Sequence, residues 1–391
     1  MEEPKNSIST NKLYFILIFY IIYVIFDKFS KDYLKHISMK YFFSKDTTRC
    51  DYFIYSDYFE DGLKYLMYYI AYNFINVYCS IFMISIITLS TFITSNLKIL
   101  YKEVKPSLKH PEFPSCITFS SFGTPSSTAC SIFLLFGVFY QGIYQKRPMK
   151  STKFFSGALW FIFVFYACLV RMLQNSLYLN QVIYGLVIGF IIYYFFFEII
   201  KIDFYDYSYL KIFLEYRWSC IYGILLVFFF NTFFQFILTK PYLKKNDNDF
   251  INQNYLSQTI FFELLGYYMG ILLEYIINFK CNDNLFCRYN VKEKNENEMF
   301  NSTKNDVSFF RLLLFCFSDY YLTRAIPTDI DFMDCSSYSN LLLSLPIINR
   351  LLKGIILFFV LKYVIRFLGL SNEDINVGYF NSKKVLNKEK N

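Results

Sequence analysis

Apolar residues fall along this chain in long unbroken blocks, not in alternation and not in a narrow helical stripe. The blocks lie at 13–26, 65–97, 126–144, 154–170, 180–200, 219–238, 259–279 and 341–370, each bounded by polar or charged loops. An apolar helix of about 20 residues crosses a bilayer. The pattern therefore predicts an all-α fold, a polytopic transmembrane helical bundle with about eight or nine spans. The block 65–97, about 33 residues, is too long for one upright span and reads as one tilted helix or a tight pair. Residues 13–26 run into Asp27-Lys28 with no small-residue cleavage site, so they read as a short signal anchor. Residues 310–323 read as an interfacial helix or a short span.

The punctuation between blocks divides the chain into four parts. Residues 1–64 hold the anchor helix and a polar loop, 65–200 a helical core, 201–371 further transmembrane helices, and 372–391 a polar tail. Residues 281–308 are rich in Asn, Lys and Glu and read as disordered. The loops 145–153, 201–218 and 280–309 are rich in Lys and Arg and fall on one side of the bundle. The positive-inside rule puts that side in the cytosol. The only sequon, Asn301-Ser302-Thr303, would then be cytosolic and unused.

Composition sharpens this. The chain is 55% apolar and 18% charged, against about 25% charged for soluble domains. The 49 Phe and 37 Tyr accompany abundant Ile, Asn and Lys, a compositional bias more than a recognition surface. The net charge of +8 is spread over loops, which fits membrane topology and not nucleic-acid binding. Cys79, Cys130, Cys168, Cys220 and Cys316 sit in apolar runs as small hydrophobes. Cys281 and Cys287 have poor zinc spacing, so neither a metal nor another cofactor is expected.

Three short pieces carry candidate chemistry. The first is Lys98-ILYKEV-Lys105-Pro106, the second Gly123-Thr124-Pro125-Ser126-Ser127-Thr128-Ala129, and the third Arg171-MLQNS-Leu177-YLN-Gln181. Each piece alone is weak, because lysines are plentiful and a Pro-Ser-Ser run is an ordinary helix start. Their order, and their placing at ends of apolar segments on one membrane side, count together.

Taken together the pieces resemble the signature of the type 2 phosphatidic acid phosphatase superfamily. Its members include lipid phosphate phosphatases, dolichyl diphosphatase, glucose-6-phosphatase and sphingosine-1-phosphate phosphatase. The resemblance covers about residues 60–200 and is nearest the last three branches. It implies a phosphatidic acid phosphatase-like helical core in an integral membrane protein, with phosphate bound by Lys98, Lys105, Ser126, Ser127 and Arg171. Family members use the third-piece histidine as nucleophile and the second-piece histidine as acid. Here those positions are Leu177 and Thr128, while Gln181 stands where an orienting carboxylate or amide is found. Lys105 replaces an arginine and exchanges a bidentate fork for a point charge.

Cations around a phosphate match the charge spread over its oxygens during transfer. Leucine, however, has no nucleophilic atom, and threonine no usable proton near pH 7. The only histidines in the chain are His36 and His110, and His110 reads as a solvated loop residue. The expectation is therefore a catalytically impaired relative, a hydrolase-like pseudoenzyme binding a phosphorylated lipid or similar anion. It would sit in the endoplasmic reticulum or another endomembrane, with the motif loops in the lumen, membrane lipids as its surroundings and no nucleic-acid partner. One alternative is an active lipid phosphate or diphosphate phosphatase with a non-standard nucleophile. Another is a transporter or flippase using Glu263 and Glu274, two carboxylates inside one apolar block.

Overall fold

The computed structural model describes residues 10–45, 56–71, 75, 77–110, 112–113, 122–146 and 150–204, with scattered helical positions at 222–233, 260–270 and 351–355. The chain divides into two compact units, Met1–Tyr209 with Tyr216–Phe261, and Leu210–Glu215 with Phe262–Asn391. The first unit holds all three motif pieces. Of the second, the buried Glu263 lies on a described helical stretch, and Glu274 lies outside the described residues.

The first unit is built from α1 (Thr10–Tyr41), α2 (Ser56–Ile70), α3 (Val77–Tyr101), the single turn α4 (Pro106–Lys109), α5 (Ser127–Lys146), α6 (Lys150–Leu173) and α7 (Leu179–Tyr194). A π-helical turn, Phe195–Ile199, prolongs α7. Among the described residues five stretches are long and apolar enough to cross a membrane: Asn11–Tyr41, Phe82–Tyr101, Ser127–Gln145, Lys153–Leu173 and Leu179–Ile199. The spans expected at 219–238, 259–279 and 341–370, and the segment 310–323, lie wholly or largely outside the described residues.

One element settles an alternative the sequence left open, and one differs from the sequence expectation. The 65–97 block is a pair of helices: the Ser80 hydroxyl donates to the Tyr68 carbonyl at 3.0 Å, although 12 residues along one helix would separate them by about 18 Å. The N-terminal anchor is also far longer than its apolar block of 13–26, because α1 runs for 32 residues. Its continuation depends on a polar seam at i, i+3 and i+4 spacing, Tyr20, Tyr23, Asp27, Lys31, Lys35 and Ser38, which shares one helix face. That face turns inward. Tyr20 and Tyr101 both hydrogen-bond the Tyr184 hydroxyl, at 2.8 and 2.6 Å, and Ser38 Oγ accepts the Leu179 N–H at 2.8 Å. The remaining faces of α1 are exposed and apolar, with Ile22, Ile25 and Phe29 among them.

Helix α1 runs antiparallel to α7. Lys12 meets Glu198 at one end (3.3 Å) and Ser38 meets Leu179 at the other. Gln145 bridges to Ile202 and Phe204 at the Lys12 end, so the segments around 145–153 and 198–204 share that end. The motif pieces share the opposite end.

The bundle centre is the crossing of α5 with α3, α6 and α7. Gly185 permits it: a Cβ there would collide with the Ser126 carbonyl. Lateral hydroxyl contacts such as Ser90 with Ser131 (3.3 Å) and the Trp160 indole donating to the Phe133 carbonyl (2.9 Å) tie the helices further. Overpacking a tight contact costs about 1–3 kcal/mol. Gly185→Val is accordingly expected to lower the thermal midpoint of the detergent-solubilised protein by several degrees, whereas Gly62→Ala, with open space around it, leaves it unchanged.

Candidate phosphate-binding site

The site is assembled from helix ends. Lys98 lies in the last turn of α3 and Arg171 in the last turn of α6. Ser126 and Ser127 begin α5. Ser126 caps that helix, its Oγ accepting the Ala129 N–H at 3.2 Å, while its own N–H donates to the Gln181 carbonyl at 3.0 Å. Ser127, next along, is half-buried, and Lys98 Nζ donates to its Oγ at 3.5 Å. Lys105 and Arg171 both lie close enough to Lys98 to repel it. Lys98 thus reaches the N-terminus of a 20-residue helix, with Lys105 and Arg171 in electrostatic range of it, and a helix N-terminus favours an anion. Like charges near a part-buried lysine are relieved when an anion binds between them.

The two positions of the missing histidines differ in setting. Thr128 is half-buried in the first turn of α5. Leu177 is 7% exposed and packs with Ala129, Cys168, Met172 and Val182. Gln181 is wholly buried; its Oε1 caps α7 by accepting the Tyr178 N–H at 3.1 Å. It lies so close to Gly123 that any Cβ there would strike it. Its Nε2 is buried without a hydrogen-bond partner among the described residues, one turn from Leu177. A buried unpaired amide N–H costs about 1–3 kcal/mol, so this donor stands out. Ser126 and Gln181 therefore hold the helix starts together, a task their place in the motif did not reveal.

Of the ionisable groups among the described residues, Tyr178 lies near this end, and His110 and His36 carry the imidazoles. Burial, with the charges of Glu103 and Glu112, pushes the Tyr178 phenol up to about 12, so it stays protonated at neutral pH. His110 sits beside Glu112 at 3.3 Å and edge-on to Phe113, and His36 lies on α1.

One residue that the sequence reading passed over stands at the centre of this end. Glu103, in the spacer of the first piece, is buried. Its carboxylate receives Lys35, Lys31 (3.2 Å), the Thr124 hydroxyl and Asn180 Nδ2 (3.4 Å). Burial alone would raise its pKa; the hydrogen bonds and charges of Lys35, Thr124 and Lys31 outweigh this and hold it below the ordinary glutamate value. A folded-state pKa below the unfolded one contributes stability that is complete above the unfolded pKa and is lost as pH falls through the folded one. Wild-type thermal stability is expected to decline below about pH 4, the ordinary glutamate range, and Glu103→Gln to flatten part of that decline. An acid limb identical in both proteins would contradict the assignment.

No curated protein and no solved structure matches this chain. A family model, described as the PAP2 superfamily, matches residues 79–204, a segment that contains all three motif pieces. This match covers about a third of the chain; with the apolar, membrane-length helices that carry the pieces, it supports a PAP2 superfamily segment in a protein that fits an integral membrane one.

Proposed function

We propose that the motif end of the first unit binds the phosphate group of a phosphorylated lipid and does not hydrolyse it. The observation that carries this reading is the meeting of Lys98 with Ser127 at the start of α5, close to Lys105 and Arg171, while Leu177 fills the nucleophile position with hydrocarbon. The unpartnered Gln181 Nε2 adds to it, since the group it would orient is missing. The lipid class is favoured over a soluble phosphate ester because the cations lie at the ends of apolar helices. The ligand is a phosphate monoester such as phosphatidic acid.

The test is a titration of the full chain in nanodiscs with dioleoyl phosphatidic acid, against phosphatidylcholine as the neutral control. Saturable binding to the first and not the second is expected. Equal binding of both lipids would refute the reading.

A second reading keeps the enzyme class. Ser127 is a hydroxyl with a lysine at 3.5 Å, and it is the residue on which a non-standard nucleophile would be sought. Trapping with a labelled lipid phosphate and mapping by mass spectrometry decides it: a phosphoserine at 127 replaces the binding-only reading with a phosphatase. The transporter reading rests on Glu263, which is buried, and on Glu274, which lies outside the described residues.

The motif end is assigned to the lumen of an endomembrane such as the endoplasmic reticulum. The support is the positive-inside reading of the Lys- and Arg-rich loops 145–153 and 201–218, which follow the helix ends opposite the motif pieces. Glycosylation of Asn301 in microsomes would reverse the assignment.

A further inference from the structure

We propose that Glu103 is the positioning residue of the motif end, and that through it α1, which lies outside the matched segment 79–204, becomes a working part of the site. Its effect on ligand affinity rests on the phosphate-binding reading; the clasp itself does not.

The argument starts from chain geometry. Helix α3 ends at Tyr101, and the φ of 50° at Lys102 turns the backbone out of the helix. The next residue is Glu103, five positions after Lys98 and two before Lys105. Its carbonyl accepts the Gly123 N–H at 2.7 Å, and its carboxylate takes the neighbouring Thr124 hydroxyl. The loop that leads into Ser126 and Ser127 is therefore pinned to the strand of chain between the two motif lysines. The same carboxylate takes Asn180, next to Gln181 at the start of α7. One side chain thus fixes the first and second pieces and the end of the third relative to one another.

The carboxylate's charge is met from outside the core, by Lys31 and Lys35 of α1. Beyond them α1 and the residues after it fasten the loop between α6 and α7. Ser38 accepts the Leu179 N–H, and Asn175 exchanges two hydrogen bonds with the Ser44 backbone, at 3.1 and 2.8 Å. Asn175 is itself in the left-handed region, φ 55°, where its backbone closes the end of α6 just past Arg171. Lys35 also lies over the Tyr178 ring at 5.5 Å. A buried carboxylate costs heavily unless it is paired and hydrogen-bonded. Here the pairing supplies what polar recognition needs, helix ends held to within a fraction of an ångström by supporting contacts.

The experiment combines amide hydrogen exchange with phosphatidic acid binding, on the full chain in nanodiscs. Glu103→Gln removes the charge at constant shape, and Glu103→Asp keeps it. In the Gln variant exchange is expected to rise about tenfold or more at 122–127 and 178–181 and across Lys31–Ser38 together. Affinity for phosphatidic acid is expected to fall about tenfold although Lys98 and Arg171 are intact. The Asp variant should recover most of both. If the Gln variant does not fold, Lys35→Met, which leaves Lys31 to pair, should loosen the same segments. Unchanged exchange at 122–127 and 178–181 overturns the proposal. So does loosened exchange with unchanged affinity, which would make the clasp structural only. Wild-type protein that binds no phosphatidic acid ends the phosphate-binding reading, and the exchange arm still decides the clasp.

Discussion

Wild-type protein is expected to release no measurable phosphate from phosphatidic acid or a polyprenyl diphosphate. The reason is local chemistry. Phosphoryl transfer through a covalent intermediate needs an atom that attacks and a group that protonates the leaving oxygen. The first position is Leu177, enclosed by Cys168, Met172 and Val182. The second is Thr128, whose hydroxyl has no acid strength near neutrality with which to protonate a leaving oxygen. Tyr178, beside Leu177, is held protonated by burial. By analogy with a triad serine, losing the nucleophile alone removes roughly a millionfold in rate. The cations that remain can bind a phosphate, but equal binding of ground and transition states gives no acceleration. A phosphate-release assay with radiolabelled lipid has the range to see this. Turnover above the no-protein control, abolished by Arg171→Ala, would overturn the expectation.

The second large effect concerns Lys98 and Arg171, and its sign changes with the ligand. In the unliganded protein Lys98 is part-buried, with Lys105 and Arg171 in electrostatic range of it. Lys98→Met keeps much of the stem and removes the charge, so the unliganded protein is expected to unfold at a higher temperature than wild type. With phosphatidic acid bound the order reverses. A hydrogen bond to a charged partner is worth about 1.5–3 kcal/mol, so each of Lys98→Met and Arg171→Ala should weaken binding by roughly 10- to 150-fold. Sites built for function commonly carry such local instability. Thermal unfolding with and without the lipid reads both halves. A Lys98→Met protein less stable than wild type in the absence of lipid would show the lysine to be structural.

The sequence made the core helices legible because each apolar block is long and cleanly bounded. It also made legible that Lys98, Ser127 and Arg171 fall at helix ends, since each sits where a block stops or starts. The length of α1 was not legible. Hydropathy ends the element near Phe26, but the helix continues because Lys31 and Lys35 meet a carboxylate 72 and 68 positions away, at Glu103. Glu103 itself was hidden in a spacer, since the spacing of the motif says nothing about what lies between its fixed points. One signal was available: the i, i+4 recurrence of Tyr23, Asp27, Lys31 and Lys35 gives a polar face to a helix that begins as an anchor. Ser126 and Gln181 were read as site groups from motif position, and their side chains cap α5 and α7. Capping depends on three-dimensional helix starts, which the motif does not encode.

The central claim is a phosphate cradle without a nucleophile, and orthovanadate tests it most directly. Vanadate binds as a tetrahedral ion where only cations are offered, and becomes five-coordinate when a side chain attacks it. A structure of the protein with orthovanadate should show a tetrahedral ion within hydrogen-bond distance of Lys98 Nζ, Arg171 and Ser127, with no bond to any side chain. A covalent vanadium bond to Ser127 or another residue, or an ion bound away from Lys98 and Arg171, would contradict the account.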